Sequence, residues 1–202
     1  MVKLFYHKQY ENNYFSENEE SKLNEAEIKI LDFIRKHMTN ETGDAVMPLI
    51  SSLGDAGIVW IILALTMIII PKTRRYGLII AVSLIIESLL CNLLLKPVTA
   101  RIRPYDVNPL VDILVKKPND YSFPSGHTGA SFAAASSLWG WKKRFWIPVT
   151  VLASLIGFSR LYLYMHYPTD VLSGAVLGIL SGVLSVLIFR KTVDKMMPAG
   201  EK

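Results

Sequence analysis

Between residues 46 and 190 the chain carries five apolar stretches of a length that suits a bilayer, and no soluble fold accommodates that pattern. Tyr76 to Leu95 is nearly all apolar, and at about 1.5 Å rise per residue it matches a hydrocarbon core roughly 30 Å thick. Trp146 to Leu163, interrupted by Ser154 and Arg160, and Val171 to Ile188 read the same way. Gly129 to Trp141 is weakly hydrophobic but reaches spanning length if its helix begins near Ser125; its small residues suit close packing inside a bundle. Gly57 to Ile70 is apolar over 14 residues. It has to borrow Val46 to Ala56 to cross, which places Asp55 near one surface. The expected fold is therefore an all-α integral membrane bundle of five spans, with six as the alternative.

Composition agrees. Of 202 residues, 51% are hydrophobic and 19% charged, which excludes a disordered chain. The net charge of +5 would raise nucleic acid as a partner if the cations were clustered on a soluble surface. They fall instead between apolar segments, so the expected partner is the bilayer, with no nucleic acid and no protein partner. A single cysteine, Cys91, excludes an intrachain disulfide and sits in an apolar run as a small hydrophobe.

The first 20 residues contain no apolar signal core, so no cleavable signal is expected. A helix is expected over 24–38, with Asn24 as N-cap and Glu27 three places on, the capping-box arrangement. Ala26, Ile30, Ile34 and Met38 form its apolar stripe, widened by Leu23, Leu31 and Phe33. It is too charged to span and is assigned to the interface or to a cover on the bundle. The expected division is a polar segment 1–45, a membrane-embedded domain 46–190 and a cytoplasmic tail 191–202.

Orientation follows from short basic loops. Lys72, Arg74 and Arg75 lie between the first and second spans, Lys142, Lys143 and Arg144 between the third and fourth, and Arg190, Lys191 and Lys195 after the fifth. Five spans put all three groups on one side, expected to be cytoplasmic. Residues 1–45 carry six Lys and Arg against nine Asp and Glu, a net −3, which fits the outer side. The loop from Pro97 to Pro124 and the turn around His166 then face the extracellular or periplasmic space.

That topology gathers three polar clusters at one face: Lys96, Arg101, Arg103 and Pro104; Pro124, Ser125, Gly126 and His127; and Ser159, Arg160, His166 and Asp170. Arg160 precedes the end of its apolar segment, where an unpaired charge is expensive, and so many cations above a bundle call for an anion. Ser125 and Gly126 begin a helix, where unpaired N–H groups and a hydroxyl receive phosphate oxygens. Pro168 is a favoured first-turn residue. A helix starting there places Asp170 in its first turn and His166 just before it, so the carboxylate can accept the Nδ1 proton and leave Nε2 as a nucleophile. His127 is the natural proton-transfer partner. A metal-dependent phosphatase needs grouped carboxylates, and these clusters offer mainly Asp170; no metal or cofactor is expected.

In their order and spacing these residues resemble the type-2 phosphatidic acid phosphatase superfamily, which includes vanadium haloperoxidases and bacterial acid phosphatases. Lys96, six residues, then Arg103-Pro104; Pro124-Ser125-Gly126-His127; and Ser159-Arg160, five residues, His166, three residues, Asp170 reproduce its pattern. The resemblance covers roughly residues 50–190. It implies that His166 is the nucleophile, Asp170 its orienting carboxylate and His127 the general acid/base, with Lys96, Arg103, Ser125, Gly126 and Arg160 holding phosphate. It reduces Arg101 to a supporting or surface residue. The short form resembles undecaprenyl pyrophosphate phosphatases, some of which carry Asp at the Gly126 position. Phosphatidylglycerophosphate and phosphatidate phosphatases are the alternatives, and an anion transporter or scaffold is the non-enzymatic one, with Glu87, inside the second span, as its best feature.

Overall fold

The computed structural model describes residues 22–108, 111–139 and 143–196, all helix, turn or loop with no strand among them. Helix α1 covers 22–38, followed by α2 (Glu41–Leu53), a 3-10 turn at Asp55–Gly57, and α3 (Ile58–Ile69). Helix α4 (Arg74–Ser88) runs through a π-helical turn at Leu89–Leu95 into the short α5 (Lys96–Thr99). The single turn α6 (Pro104–Val107) precedes a loop. The bundle then closes with α7 (Gly126–Ser137), α8 (Lys143–Tyr162) and α9 (Pro168–Met196). Residues 1–21, 109–110, 140–142 and 197–202, which include the far N-terminus, part of the second basic loop and the end of the tail, lie outside the described residues.

Helix α7 is central, packed on α9, α8 and α4. Its small residues allow this, and α9 matches them with Gly174, Gly178 and Gly182, one per turn. A Cβ at these positions would run into the Ser125 carbonyl, the Gly129 carbonyl and the Ser136 hydroxyl of α7, so the two backbones approach as small-residue seams do in membranes. Polarity is inverted relative to a soluble bundle. Ser83, Ser131, Ser137, Ser181 and Ser185 are buried, while Ile62, Ile69, Ile85, Leu93, Leu172 and Leu180 face outward. The inward hydroxyls find partners: Ser137 donates to Ser83 at 2.9 Å and Ser185 to the Ile79 carbonyl at 2.6 Å.

Three helical stretches are long and apolar enough to cross a bilayer, the α4 continuation, Phe145–Tyr162 and Pro168–Arg190, and a fourth span results if α2 and the Asp55–Ile69 segment, bent by 45°, count as one. The chain is a multi-pass membrane protein. Helix α7 has only 12 residues, about 18 Å of rise, and does not cross by length. It begins at Ser125 as expected, but Leu138 and Trp139 close it as a turn.

Helix α1 keeps only part of its expected apolar face inward. The buried face is Glu27, Leu31 and Ile34, while Ile30, Phe33 and Met38 are exposed. Asn24 and Glu27 do not form a capping box, because the helix starts before them and both side chains reach Arg101.

Candidate active site

The outer ends of α4/α5, α7, α8 and α9 bring the three clusters together. The N-terminus of α7 is formed by Ser125, whose backbone is extended (φ −72°, ψ 107°) and whose side chain accepts from the Thr128 amide as N-cap. The start of α7 is tied to the start of α9 by Ser125 N–H donating to the Asp170 carbonyl at 3.0 Å. The first-turn amides of α7, including Gly126 and His127, have no carbonyl within their own helix to bond. A Cβ on Gly126 would sit 3.6 Å from Cys91 Sγ, 3.7 Å from Asn92 Oδ1 and 3.8 Å from Lys96 Nζ. This is ordinary contact, so the position does not require glycine for space.

His166 lies in the turn before Pro168 and is 1% exposed; Asp170, in the first turn of α9, is fully buried. Nδ1 of His166 is 3.6 Å from Asp170 Oδ2, beyond hydrogen-bond range, and has no bonded partner. That oxygen instead accepts from Ser122 Oγ at 2.5 Å and from the Tyr167 amide at 2.9 Å. Catalytic hydrogen bonds are often long in unliganded enzymes and tighten around substrate. Burial pushes the His166 imidazole down, as do Arg103 and Arg160, against the Asp170 carboxylate, and the result is about 3. The ring is therefore neutral near pH 7. Its Nε2 lies 3.2 Å from Arg103 Nη1.

Lys96, Arg103 and Arg160 are all buried. Arg103 also donates to the Met165 carbonyl at 2.9 Å and to the Asp120 carbonyl at 2.8 Å. Arg160 donates to the Ser51 hydroxyl, and its Nε has no partner; its charge reaches both His127 and His166. Asp120 was not anticipated. Its carboxylate bridges Lys96 Nζ and Arg103 Nη2, the latter at 2.6 Å, and so engages two of the cations expected to hold phosphate. Burial works to raise this carboxyl, but Lys96 and Arg103 outweigh it and hold it at about 2.

Of the two roles expected for Arg101, supporting or surface, the structure shows the first: it holds Asp170 from within the protein. Its side chain is 11% exposed. Nη1 meets Asp170 Oδ1 at 2.6 Å and Thr169 Oγ1 at 2.8 Å, and Nη2 meets Glu27 Oε2 at 2.5 Å and Asn24 Oδ1 at 2.6 Å. The guanidinium also lies 3.9 Å from the Tyr167 ring centroid. Glu27 Oε1 accepts from the Thr169 amide and hydroxyl, so α1 is clamped onto the start of α9. The even spacing of Arg101 and Arg103 gave no sign of this division.

His127, on the opposite wall, has Nε2 2.8 Å from Asp55 Oδ1. Asp55 sits at the break between α2 and α3 and escaped the sequence reading, which treated it only as a residue near a surface. A cavity of about 670 Å³ opens beside His127, Gly126 and Lys96 and continues between α3 and α4 along Ile61, Leu65 and Ile85. Glu87 lines it against Gly129, where a Cβ would collide with the carboxylate. Its Oε1 has no hydrogen-bond partner, and Asn92 donates to Ser88 at 3.1 Å. Among the described residues no three His, Cys, Asp or Glu side chains converge as a metal ion requires.

Comparison with known proteins bears on this geometry. The PAP2 superfamily matches residues 74–194. An undecaprenyl-diphosphatase of Sulfolobus acidocaldarius is 36% identical over 147 residues, covering 70% of each chain. The crystal structure of Aquifex aeolicus LpxE superposes with a TM-score of 0.69 at 26% identity, covering 79% of this chain and 93% of that one. A transmembrane PAP2-type phosphatidylglycerolphosphate phosphatase from Bacillus subtilis superposes with a TM-score of 0.66 at 29% identity over 91% and 90% of the two chains.

Proposed function

Since the chain belongs to the PAP2 superfamily, we propose that it is a membrane lipid phosphatase that works through a phosphohistidine on His166. The carrying observation is the buried His166 ring, neutral and with Nε2 turned to Arg103 while Asp170 stands behind Nδ1.

In the first step Nε2 of His166 attacks phosphorus. A P–N bond forms, the bond to the leaving oxygen breaks, and His127, entering as the imidazolium, gives that oxygen a proton and is left neutral. In the second step His127 takes a proton from water as the water oxygen attacks phosphorus. The P–N bond breaks, releasing inorganic phosphate and neutral His166. Lys96, Arg103 and Arg160, with Ser125 and the Gly126 amide at the α7 N-terminus, stabilise the non-bridging oxygens. The chemistry assigned to these residues uses no metal.

The substrate we assign is a polyprenyl diphosphate, most specifically undecaprenyl diphosphate, cleaved to the monophosphate. The undecaprenyl-diphosphatase relative supports it, as does an apolar cavity leading away from the site, where a chain can stay in hydrocarbon while its phosphate lies toward Lys96, Gly126 and His127. The superposition on the Bacillus phosphatidylglycerolphosphate phosphatase favours a second reading, hydrolysis of that lipid. A fifth span made by the short α7 at the centre of the bundle, the site on the extracellular or periplasmic face and a membrane-embedded domain over 46–190 complete the proposal.

The test is a comparison of kcat/KM in mixed micelles for undecaprenyl diphosphate, phosphatidylglycerophosphate and phosphatidate. Preference for the first by about tenfold or more supports the assignment, and the same preference for the second replaces it. Release of phosphate from none of them returns the protein to an anion-binding role centred on Glu87. Acid-labile phosphate trapped on His166 during turnover, and lost in His166→Ala, checks the intermediate.

A further inference from the structure

We propose that Asp55 is the positioning residue of His127, forming a second carboxylate–imidazole pair across the site from His166 and Asp170. The inference rests on the phosphatase reading. A carboxylate only accepts hydrogen bonds, so Asp55 Oδ1 at 2.8 Å fixes the proton of the neutral ring on Nε2. Nδ1 is thereby left to exchange the proton that the leaving oxygen receives and that water supplies. The Nε2 proton stays where it is throughout. In the first pair the carboxylate stands behind Nδ1 and the reacting atom is Nε2; in this pair the nitrogens are exchanged.

The backbone around Asp55 is shaped to this ring. A Cβ at Gly54 would lie 2.8 Å from His127 Cδ2, so only glycine lets the imidazole pack against the hinge. Ala56 adopts φ +50° and Gly57 φ +68°, and for alanine that left-handed region is strained. A straight apolar helix from α2 into α3 would cross a bilayer without this strain. The bent chain instead delivers Asp55 to His127.

Electrostatics supplies the need. The charged groups facing the ring are Asp55 from the hinge, Arg160 from α8 and Lys96 from α5, with Glu87 of α4 one turn further along, against Gly129. Two of the three are cations. Without Asp55, the imidazolium that must form when water is deprotonated would be surrounded by like charge.

The experiment measures kcat, KM and the pH profile of phosphate release from undecaprenyl diphosphate, together with decay of trapped phosphoenzyme, in wild type, Asp55→Ala, Asp55→Asn and Asp55→Glu. Asp55→Ala is expected to lower kcat by about 10–100-fold, as loss of an orienting partner does, with KM nearly unchanged and phosphoenzyme decay slowed. Asp55→Asn keeps the acceptor but not the charge. It should lose less, and its proton-donor limb should move to lower pH, because removing an anion beside an imidazolium lowers the ring's pKa. Asp55→Glu should recover part of the rate. In a His127→Ala background, Asp55→Ala should add little.

An unchanged rate and pH profile in Asp55→Ala, or an equal loss with and without His127, overturns the assignment and leaves the phosphatase standing. If Asp55→Ala fails to fold, Asp55→Asn carries the same comparison. A wild-type protein that releases no phosphate overturns the functional reading itself.

Discussion

Arg101 grips the one oxygen of Asp170 that His166 does not face: Nη1 lies 2.6 Å from Oδ1, while Oδ2 is the oxygen nearest His166 Nδ1. With Asp170 fully buried and Arg101 nearly so, this pair holds the carboxylate in register with the ring. The same guanidinium carries the link onward to Glu27 of α1.

Arg101→Ala should therefore be about as damaging as Arg103→Ala, each costing on the order of 2–5 kcal/mol in kcat/KM, since removing one partner strands a buried charge. Arg101→Lys should rescue poorly, because a point charge cannot span Asp170 and Glu27 as the planar fork does. Glu27→Gln should cost less than either. The check is steady-state kinetics on the variants; an Arg101→Ala enzyme within twofold of wild type would disprove the clamp.

Asp120 engages Lys96 and Arg103 before substrate does. Held at about 2, it is ionised at every assay pH, and on the proposed reading it competes with the substrate phosphate for both cations. Asp120→Asn should lower KM and the inhibition constant of orthovanadate by roughly fivefold, about 1 kcal/mol for a half-exposed partner. Weaker vanadate binding in the variant would mean that Asp120 helps to build the anion site.

The pH dependence of His166 has a definite sign. As the proposed nucleophile, His166 must be neutral; burial moves its pKa from 6.5 to about 3, and on that reading competence is lost only as pH falls through that lower value. A kinetic limb between about pH 5 and 8 therefore belongs to another group. NMR of ring-labelled histidine, assigned through His166→Ala, should show no His166 titration between pH 8 and 5. A transition near 6.5 would contradict the buried, neutral ring.

Two glycines should answer differently to alanine. At Gly126 an added Cβ meets only ordinary contacts, so Gly126→Ala should fold with near-normal stability. At Gly178 it would press on the Gly129 carbonyl and Ala133 N, and overpacking of that kind costs about 1–3 kcal/mol. Thermal unfolding in detergent compares them; equal midpoints would mean that the α7–α9 seam is looser than described.

What the amino-acid order determined by itself was whatever depends on neighbours along the chain. Run lengths marked three spans and, with α2 and the Asp55–Ile69 segment taken together, a fourth; Ser125 and Pro168 marked the starts of α7 and α9, and the spaced motifs identified the residues that meet above the bundle. The apolar stripe of α1 was right for Leu31 and Ile34 but not for Ile30, Phe33 and Met38, because in a membrane apolar residues are as welcome facing lipid as facing protein. Hydrophobicity therefore does not say which face packs, and the buried face proved to be Glu27, Leu31 and Ile34. Tertiary structure alone decided the partners of the charges. Arg101 with Asp170 and Glu27, Asp120 with Lys96 and Arg103, and Asp55 with His127 are pairs from different elements. A charge removed from water must find its counter-charge in space, and sequence spacing carries no record of which one it finds.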